Sequence, residues 1–140
     1  MAILQGMCSS FKQESWQGIH NLPVDTIKLA LYTASANLSQ ATTDYSLSTG
    51  QVPAGSGYTT GGVTLTNVQV LLSGTTAYVT FDNPVWSGAS FTCRGGLIYN
   101  ESKANRAIAV LDFGADKTAS GTFTIQMPAA TATTALLRFA

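Results

Sequence analysis

Between Gly61 and Asp112 the chain reads as one short strand pattern after another, and this stretch constrains the fold more than any other. Val, Leu, Thr and Tyr alternate between breaks at Asn67, Ser73-Gly74, Asn83-Pro84 and Ser87-Gly88. That is the period-two pattern of strands punctuated by turn residues. Residues 63–66, 68–72 and 75–81 are predicted strands, with Leu72-Ser73-Gly74-Thr75 as a hairpin turn. Asp82-Asn83-Pro84 ends the third, because proline has no N–H for a ladder. Val85-Trp86 opens the next segment and Ser87-Gly88 is read as turning it. Residues 91–99, 107–113, 121–127 and 135–139 supply the remaining strands. About eight strands at roughly eight- to twelve-residue intervals argue an all-β, antiparallel β-sandwich, jelly-roll-like in kind. Connections this short leave no room for crossover helices, which excludes α/β folds.

The N-terminal segment, residues 1–23, is different. Met7, Phe11, Ser15, Gly18/Ile19 and Leu22 recur at three- and four-residue spacing, which predicts a short helix from Ser10 to about His20. Ser10 and Gln13 fit a capping box, and Pro23 stops the pattern. Such a helix either caps the open end of the sandwich or reaches a neighbour; Phe11 and Ile19 need burial in both cases, which favours the cap. Residues 26–33 then form a strand with Ile27, Leu29 and Leu31 on one face. A long loop follows over residues 34–60, rich in Ser, Thr, Ala and Gly. So long a connection is unusual in a compact domain and is commonly functional. It reads equally as a partner-binding segment or as a cover over the sandwich edge. As a binding segment it would be dispensable for folding, so deleting it is expected to leave the fold intact.

The 140 residues form one domain, long enough for a core without metal or disulfide staples. Only 10% of the residues are charged, against roughly 25% in an average soluble protein. Hydrophobic residues make up an ordinary 45%, so hydroxyl and amide side chains replace the missing charges. Such a surface is covered by a partner at small desolvation cost, a hint of assembly. Seven Lys/Arg balance seven Asp/Glu without runs of either sign, so the footprint of a nucleic-acid binder is absent. No apolar stretch is long enough to span a bilayer. The N-terminus lacks the basic and apolar regions of a signal peptide, so synthesis in cytoplasm is expected. Cys8 and Cys93 are expected free and reduced, with Cys93 a small core hydrophobe.

Motifs that carry chemistry are scarce. His20, the single histidine, suits the C-terminal dipole of the predicted helix. Cys8, His20 and Cys93 lack zinc-ligand spacing, and no nucleophile elbow is present. Asp82, Asp112 and Asp116 lie at strand ends, where such residues bond their own turns. Gly55-Ser56-Gly57 and Gly61-Gly62 are turn glycines rather than phosphate loops. Gly95-Gly96, inside a strand, suggests a bulge or a close backbone approach. No catalytic, cofactor or metal residue is expected, and the chain is expected not to be an enzyme. Trp16 and Trp86 are expected in the core or cap. The most charged patch, residues 100–106, sits at a hairpin tip. It serves either solubility or a neighbouring subunit, with Arg106 as an anchor. Arg94, Lys103, Asn105 and Arg106, with Tyr45 and Tyr58 of the long loop, are the candidate partner-binding residues.

The succession from Val85 through Trp86, Phe91, Cys93, Arg94, Gly95-Gly96 and Leu97 to Tyr99 is continued by Ile108-Ala109-Val110-Leu111-Asp112-Phe113-Gly114 and Gly121-Thr122-Phe123-Thr124-Ile125-Gln126. With Asp25-Thr26-Ile27-Lys28-Leu29-Ala30-Leu31 after a short helix, it resembles small virion proteins of tailed bacteriophages. Among these it looks most like the capsid cement, or decoration, proteins of short-tailed phages. The resemblance spans nearly the whole chain and marks strands rather than an interface. It implies a jelly-roll-like protein of the virion that binds the major capsid protein on the outside of an icosahedral shell. It implies no active site and no cofactor, with neither nucleic acid nor membrane as partner. A homodimer is expected, because capsomer seams fall on local two-folds and two-fold symmetry is the commonest closed form. The rival expectations are a tail or neck module of the same kind of virion, and a carbohydrate-binding module using Trp86, Tyr58 or Tyr99 as a stacking platform.

Overall fold

The structure is a computed structural model and describes residues 2–129 and 131–139. In chain order its elements are β1 (Gly6–Met7), α1 (Ser9–Trp16), β2 (Ile27–Tyr32), β3 (Val63–Thr64), β4 (Gln69–Ser73) and β5 (Thr76–Thr80). There follow β6 (Val85–Ala89), β7 (Thr92–Asn100), β8 (Arg106–Thr118), β9 (Gly121–Thr124) and β10 (Leu137–Phe139). The strands form antiparallel sheets of five (β1-β8-β7-β2-β3), three (β10-β5-β4) and two (β6-β9). The fold is therefore all-β and sandwich-like, with a short N-terminal helix.

The core is the centre of the five-stranded sheet. Ile27, Leu29, Ala30, Leu31 and Tyr32 of β2, Leu97, Ile98 and Tyr99 of β7, and Ala107 to Leu111 of β8 are all buried. Both faces of these strands are covered, which is why their sequences run apolar rather than strictly alternating. Gly95 and Gly96 explain how neighbours come so close. A Cβ on Gly95 would sit 2.5 Å from the Leu111 carbonyl and 2.8 Å from Ile3 Cγ2, and one on Gly96 would sit 2.8 Å from Leu29 Cδ1. The β7–β8 register also slips between Cys93 and Gly95, where β8 carries the extra residues, and again between Ile98 and Tyr99. Of the two alternatives expected at Gly95-Gly96, the close approach is present there, while the irregular residues lie on β8.

Several local expectations are corrected. The helix ends at Trp16, not His20, because Gly18 takes a left-handed φ of +72°. Gly18 N–H bonds the Ser15 carbonyl and Ile19 N–H the Glu14 carbonyl, the paired bonds of a Schellman cap. There is no capping box: the N-cap is Cys8, without a side-chain cap bond, and the Ser10 hydroxyl is buried without a partner. Tertiary contacts serve instead, with Ser9 N–H donating to the Gln40 carbonyl and Cys8 N–H to Ile108. Trp16 is 91% exposed rather than packed, whereas Trp86 is buried as expected. Ser87-Gly88 does not turn the chain; it forms an irregularity within β6, with Gly88 at φ +61°.

Two side-chain clusters hold the smaller sheets to the large one. Trp86, Phe91 and Phe123 pack with centroids 5.6 to 5.8 Å apart and bind the β6-β9 ribbon. Helix α1 approaches the three-stranded sheet through Phe11, whose ring centroid lies 6.3 Å from that of Phe139.

Gly62 provides the sharpest test of this packing. Its φ is +82°, and a Cβ would overlap the Leu29 carbonyl of β2. Gly62→Ala is expected to destabilise the fold by about 3 kcal/mol. Gly114→Ala, at φ +80° with open space around it, is expected to cost only about 1 kcal/mol. Urea denaturation of the two variants measures the difference.

Candidate functional site

The long loop is fastened to the sheet, not held out from it. Ala36, Leu38, Val52 and Tyr58 are buried, and Tyr45–Leu47 forms a 3₁₀ turn. Tyr45 lies flat on Tyr99, with centroids 4.2 Å apart and the ring planes 7° from parallel. Gln51 is the hub. Its Oε1 accepts from the Tyr58 hydroxyl at 2.7 Å and from Gly61 N–H at 2.9 Å, while its Nε2 donates to the Tyr45 hydroxyl at 3.0 Å. Tyr58 Oη also accepts from Leu31 N–H of β2 at 3.0 Å, and the Tyr99 hydroxyl donates to the Gly61 carbonyl at 2.6 Å. Burial pushes the Tyr32, Tyr58 and Tyr99 phenols above their ordinary range. Of the two tyrosines expected to meet a partner, Tyr58 is only 3% exposed and Tyr45 is half-buried against Tyr99. Contrary to the expectation that it is dispensable for folding, the loop fills part of the core and bonds β2.

The charged tip is likewise paired within the chain. Arg106 Nη1 donates to Glu14 Oε2 of α1 at 2.8 Å, and Lys103 Nζ to Asp25 Oδ1 at 2.9 Å. Asn105 donates to Ser46 Oγ at 3.2 Å, and Lys28 pairs with Glu101 at 3.2 Å. His20 serves this network and not a helix dipole. Its side chain is 2% exposed; Asn100 Nδ2 donates to Nδ1 at 3.0 Å, which places the ring hydrogen on Nε2, 2.8 Å from Glu14 Oε1. Asn100 Nδ2 also donates to Asp25 Oδ2 at 2.8 Å, and Asn21 N–H donates there at 2.9 Å. Burial raises the Asp25 carboxyl, but the bonds from Asn100, Asn21 and Lys103 and the Lys103 charge outweigh it, leaving the group below its ordinary 3.8. With both ring nitrogens engaged, His20 ties helix, strand and hairpin together. No signal in the sequence points to Glu14 or Asn100, whose partners lie from 6 to 92 positions away.

Arg94 stands apart from Lys103, Asn105 and Arg106, paired with Asp112 at 3.5 Å, too long for a hydrogen bond. Asp112 also caps its own turn through Gly114 N–H at 2.9 Å. Cys8 and Cys93 are free and buried, and burial pushes both thiols up to about 12, so neither is a thiolate near neutrality. Among the described residues no group of three His, Cys, Asp or Glu side chains is placed to hold a metal ion. Among the described residues no helix is long and apolar enough to cross a membrane.

What the structure leaves available is apolar. The β4–β5 hairpin exposes Val70, Leu71 and Leu72. By register, Val70 and Leu72 share one face with Ala77 and Val79 of β5 and Leu137 and Phe139 of β10. That face looks across an open groove of about 340 Å³ to Phe11, Leu22 and Pro23. This hairpin and groove form the candidate interaction surface. The sequence singled out the hairpin as structure only, because alternation reports a strand without saying whether its apolar face is covered. Comparison with protein-family models, with curated proteins and with solved structures returns no match for this chain.

Two substitutions probe the internal networks. Gln51→Leu leaves the Tyr58 hydroxyl and Gly61 N–H without their acceptor, an expected loss of about 3 kcal/mol. It should appear as a lower thermal midpoint with new proteolytic cleavage inside residues 34–60. For Asp25 the folded pKa lies below the unfolded one, so its contribution to stability is present above the ordinary value of 3.8 and is lost as pH falls through the folded pKa. Asp25→Asn should be less stable at neutral pH and show a shallower loss of stability in acid, measured by urea midpoints below about pH 5.

Proposed function

We propose that this chain is a non-enzymatic capsid cement protein. In this reading it binds the major capsid protein on the outside of an icosahedral bacteriophage head, across the seams between capsomers. It is made in the host cytoplasm and ends on the virion surface. The observation that carries the reading is the division of the molecule's polar groups. Lys28, Arg94, Lys103 and Arg106 are each paired with a carboxylate of the same chain, while large apolar side chains stand in solvent at Trp16, Val24, Leu47 and the β4–β5 hairpin. Such a surface is suited to being covered. The strand succession resembling phage virion proteins supplies the setting. Clamping a shell needs buried area and not chemistry, which agrees with a lone histidine held at both nitrogens.

The same features suit a tail or neck module, and copy number separates the two. The carbohydrate-binding reading loses its platform: Trp86, Tyr58 and Tyr99 are all buried. Quantitative mass spectrometry of purified virions is the test. Cement function predicts copies near parity with the major capsid protein. A handful of copies per particle would assign the chain to the tail or neck, and absence from the particle would overturn the virion reading.

A further inference from the structure

We infer that the free edge of β4 is a self-association site, at which β4 pairs antiparallel with β4 of a second copy about a two-fold axis at Leu71. The inference stands on the geometry of this edge and does not depend on the shell reading.

Sheet edges invite pairing, and proteins guard them by shortness, charge, proline, bulges or cover. Edges elsewhere in the molecule carry such devices. β1 and β3 have two residues each, β10 has three and carries Arg138, and the β6–β9 ribbon is interrupted by the irregularity between Trp86 and Ala89. β4 has none of these devices. Its five residues, Gln69–Ser73, carry no charge and no proline, pair with β5 in unbroken register, and are all exposed. Among the described residues no backbone hydrogen bond beyond that ladder reaches it.

The hairpin geometry says which groups are free. Gly74, at φ +61°, opens the two-residue turn between the paired Ser73 and Thr76, a type II′ geometry in which the flanking pair exchanges both hydrogen bonds. Alternation along an antiparallel ladder then turns the N–H and C=O of Val70 and Leu72 outward. A copy related by a two-fold at Leu71 sets Val70 opposite Leu72 of the second copy, and Leu72 opposite its Val70. Each pair exchanges two backbone hydrogen bonds. Leu71 meets its own image on the opposite face, and Gln69 meets Ser73. Every position therefore faces a residue of its own character.

Charge and burial both select a second copy as the occupant. Arg138 is the sole charged residue of the three-stranded sheet, and it lies on the strand farthest from β4. In the paired sheet the two arginines would stand five strand spacings apart, about 24 Å, beyond the screening length at physiological salt. Val70, Leu71 and Leu72 are 49%, 39% and 74% exposed in the single chain. The pairing covers them and extends the apolar face that floors the groove.

Sedimentation equilibrium of the isolated protein is expected to give twice the 14.6 kDa chain mass. Leu72→Lys places like charges on the shared edge and should return the single-chain mass, with an unchanged circular dichroism spectrum. Leu71→Cys should form an interchain disulfide on mild oxidation at least about tenfold faster than Gln69→Cys, because only position 71 faces its own image. The native Cys8 and Cys93 are fully buried and do not compete. A single-chain mass for the unmodified protein up to about 100 μM, in the affinity range of weak association, would overturn the inference. So would a dimer that survives Leu72→Lys, or equal oxidation rates at positions 69 and 71.

Discussion

Strand β7 is covered on both faces, and the outlying parts of the molecule are fastened through it. It lies between β2 and β8 at the middle of the five-stranded sheet, and Gly95-Gly96 lets its neighbours approach within contact distances that no larger residue would permit. Its last two residues then do different jobs on opposite faces. Tyr99 receives the long loop, through the Tyr45 ring and the Gly61 carbonyl. Asn100 receives the N-terminal segment, through His20 and Asp25. Two segments that look like independent appendages in the sequence are thus held by adjacent residues of one buried strand.

This anchoring accounts for the poverty of charge outside. Of seven cationic side chains, four are paired with carboxylates of the same chain, which leaves few free to meet a charged partner. Exposed pairs of this kind add little stability, but those on Glu14 and Asp25 are different. Both carboxylates are nearly inaccessible to solvent, and removing a partner there would strand a charge away from water. The network therefore specifies where helix, hairpin and β2 meet. Hydroxyls and exposed aliphatic side chains make up much of what remains, beside a few charges such as Lys12, Asp116 and Lys117.

How much of this was legible in the sequence follows from what periodicity can report. Strand pairs with local partners were readable: the β4–β5 hairpin came from Ser73-Gly74 and the alternation around it, and the close approach at Gly95-Gly96 from glycines where a strand should carry side chains. The helix end was misplaced because Gly18 fitted the apolar spacing while its left-handed backbone was terminating the helix. Ser87-Gly88 misled in the opposite sense, since a glycine with positive φ serves a bulge as readily as a turn. The Gln51 hub and the Glu14–His20–Asn100 chain were invisible. Their partners lie from 6 to 92 positions away, and polar side chains in a loop look alike whether they face water or a buried tyrosine. The same blindness turned Tyr58 and Arg106 into candidate contacts, because a residue type suited to binding a partner is equally suited to binding its own chain.

The contrast between guarded and unguarded edges then acquires its meaning. Where β6 could have offered a five-residue edge, an irregularity breaks it, and the edges at β1, β3 and β10 are cut short. A chain that avoids surface charge gives up the commonest protection against edge pairing, so it must use geometry instead. It does so at β1, at β3 and in the β6–β9 ribbon, and not at β4. There the residues are apolar on the groove side, free of charge, and symmetric in character about Leu71. A protein exposed at high local concentration to its own copies would aggregate through several such strands. Through one alone, pairing closes at two copies, since an edge once paired is consumed and the isologous contact leaves no further edge to grow from.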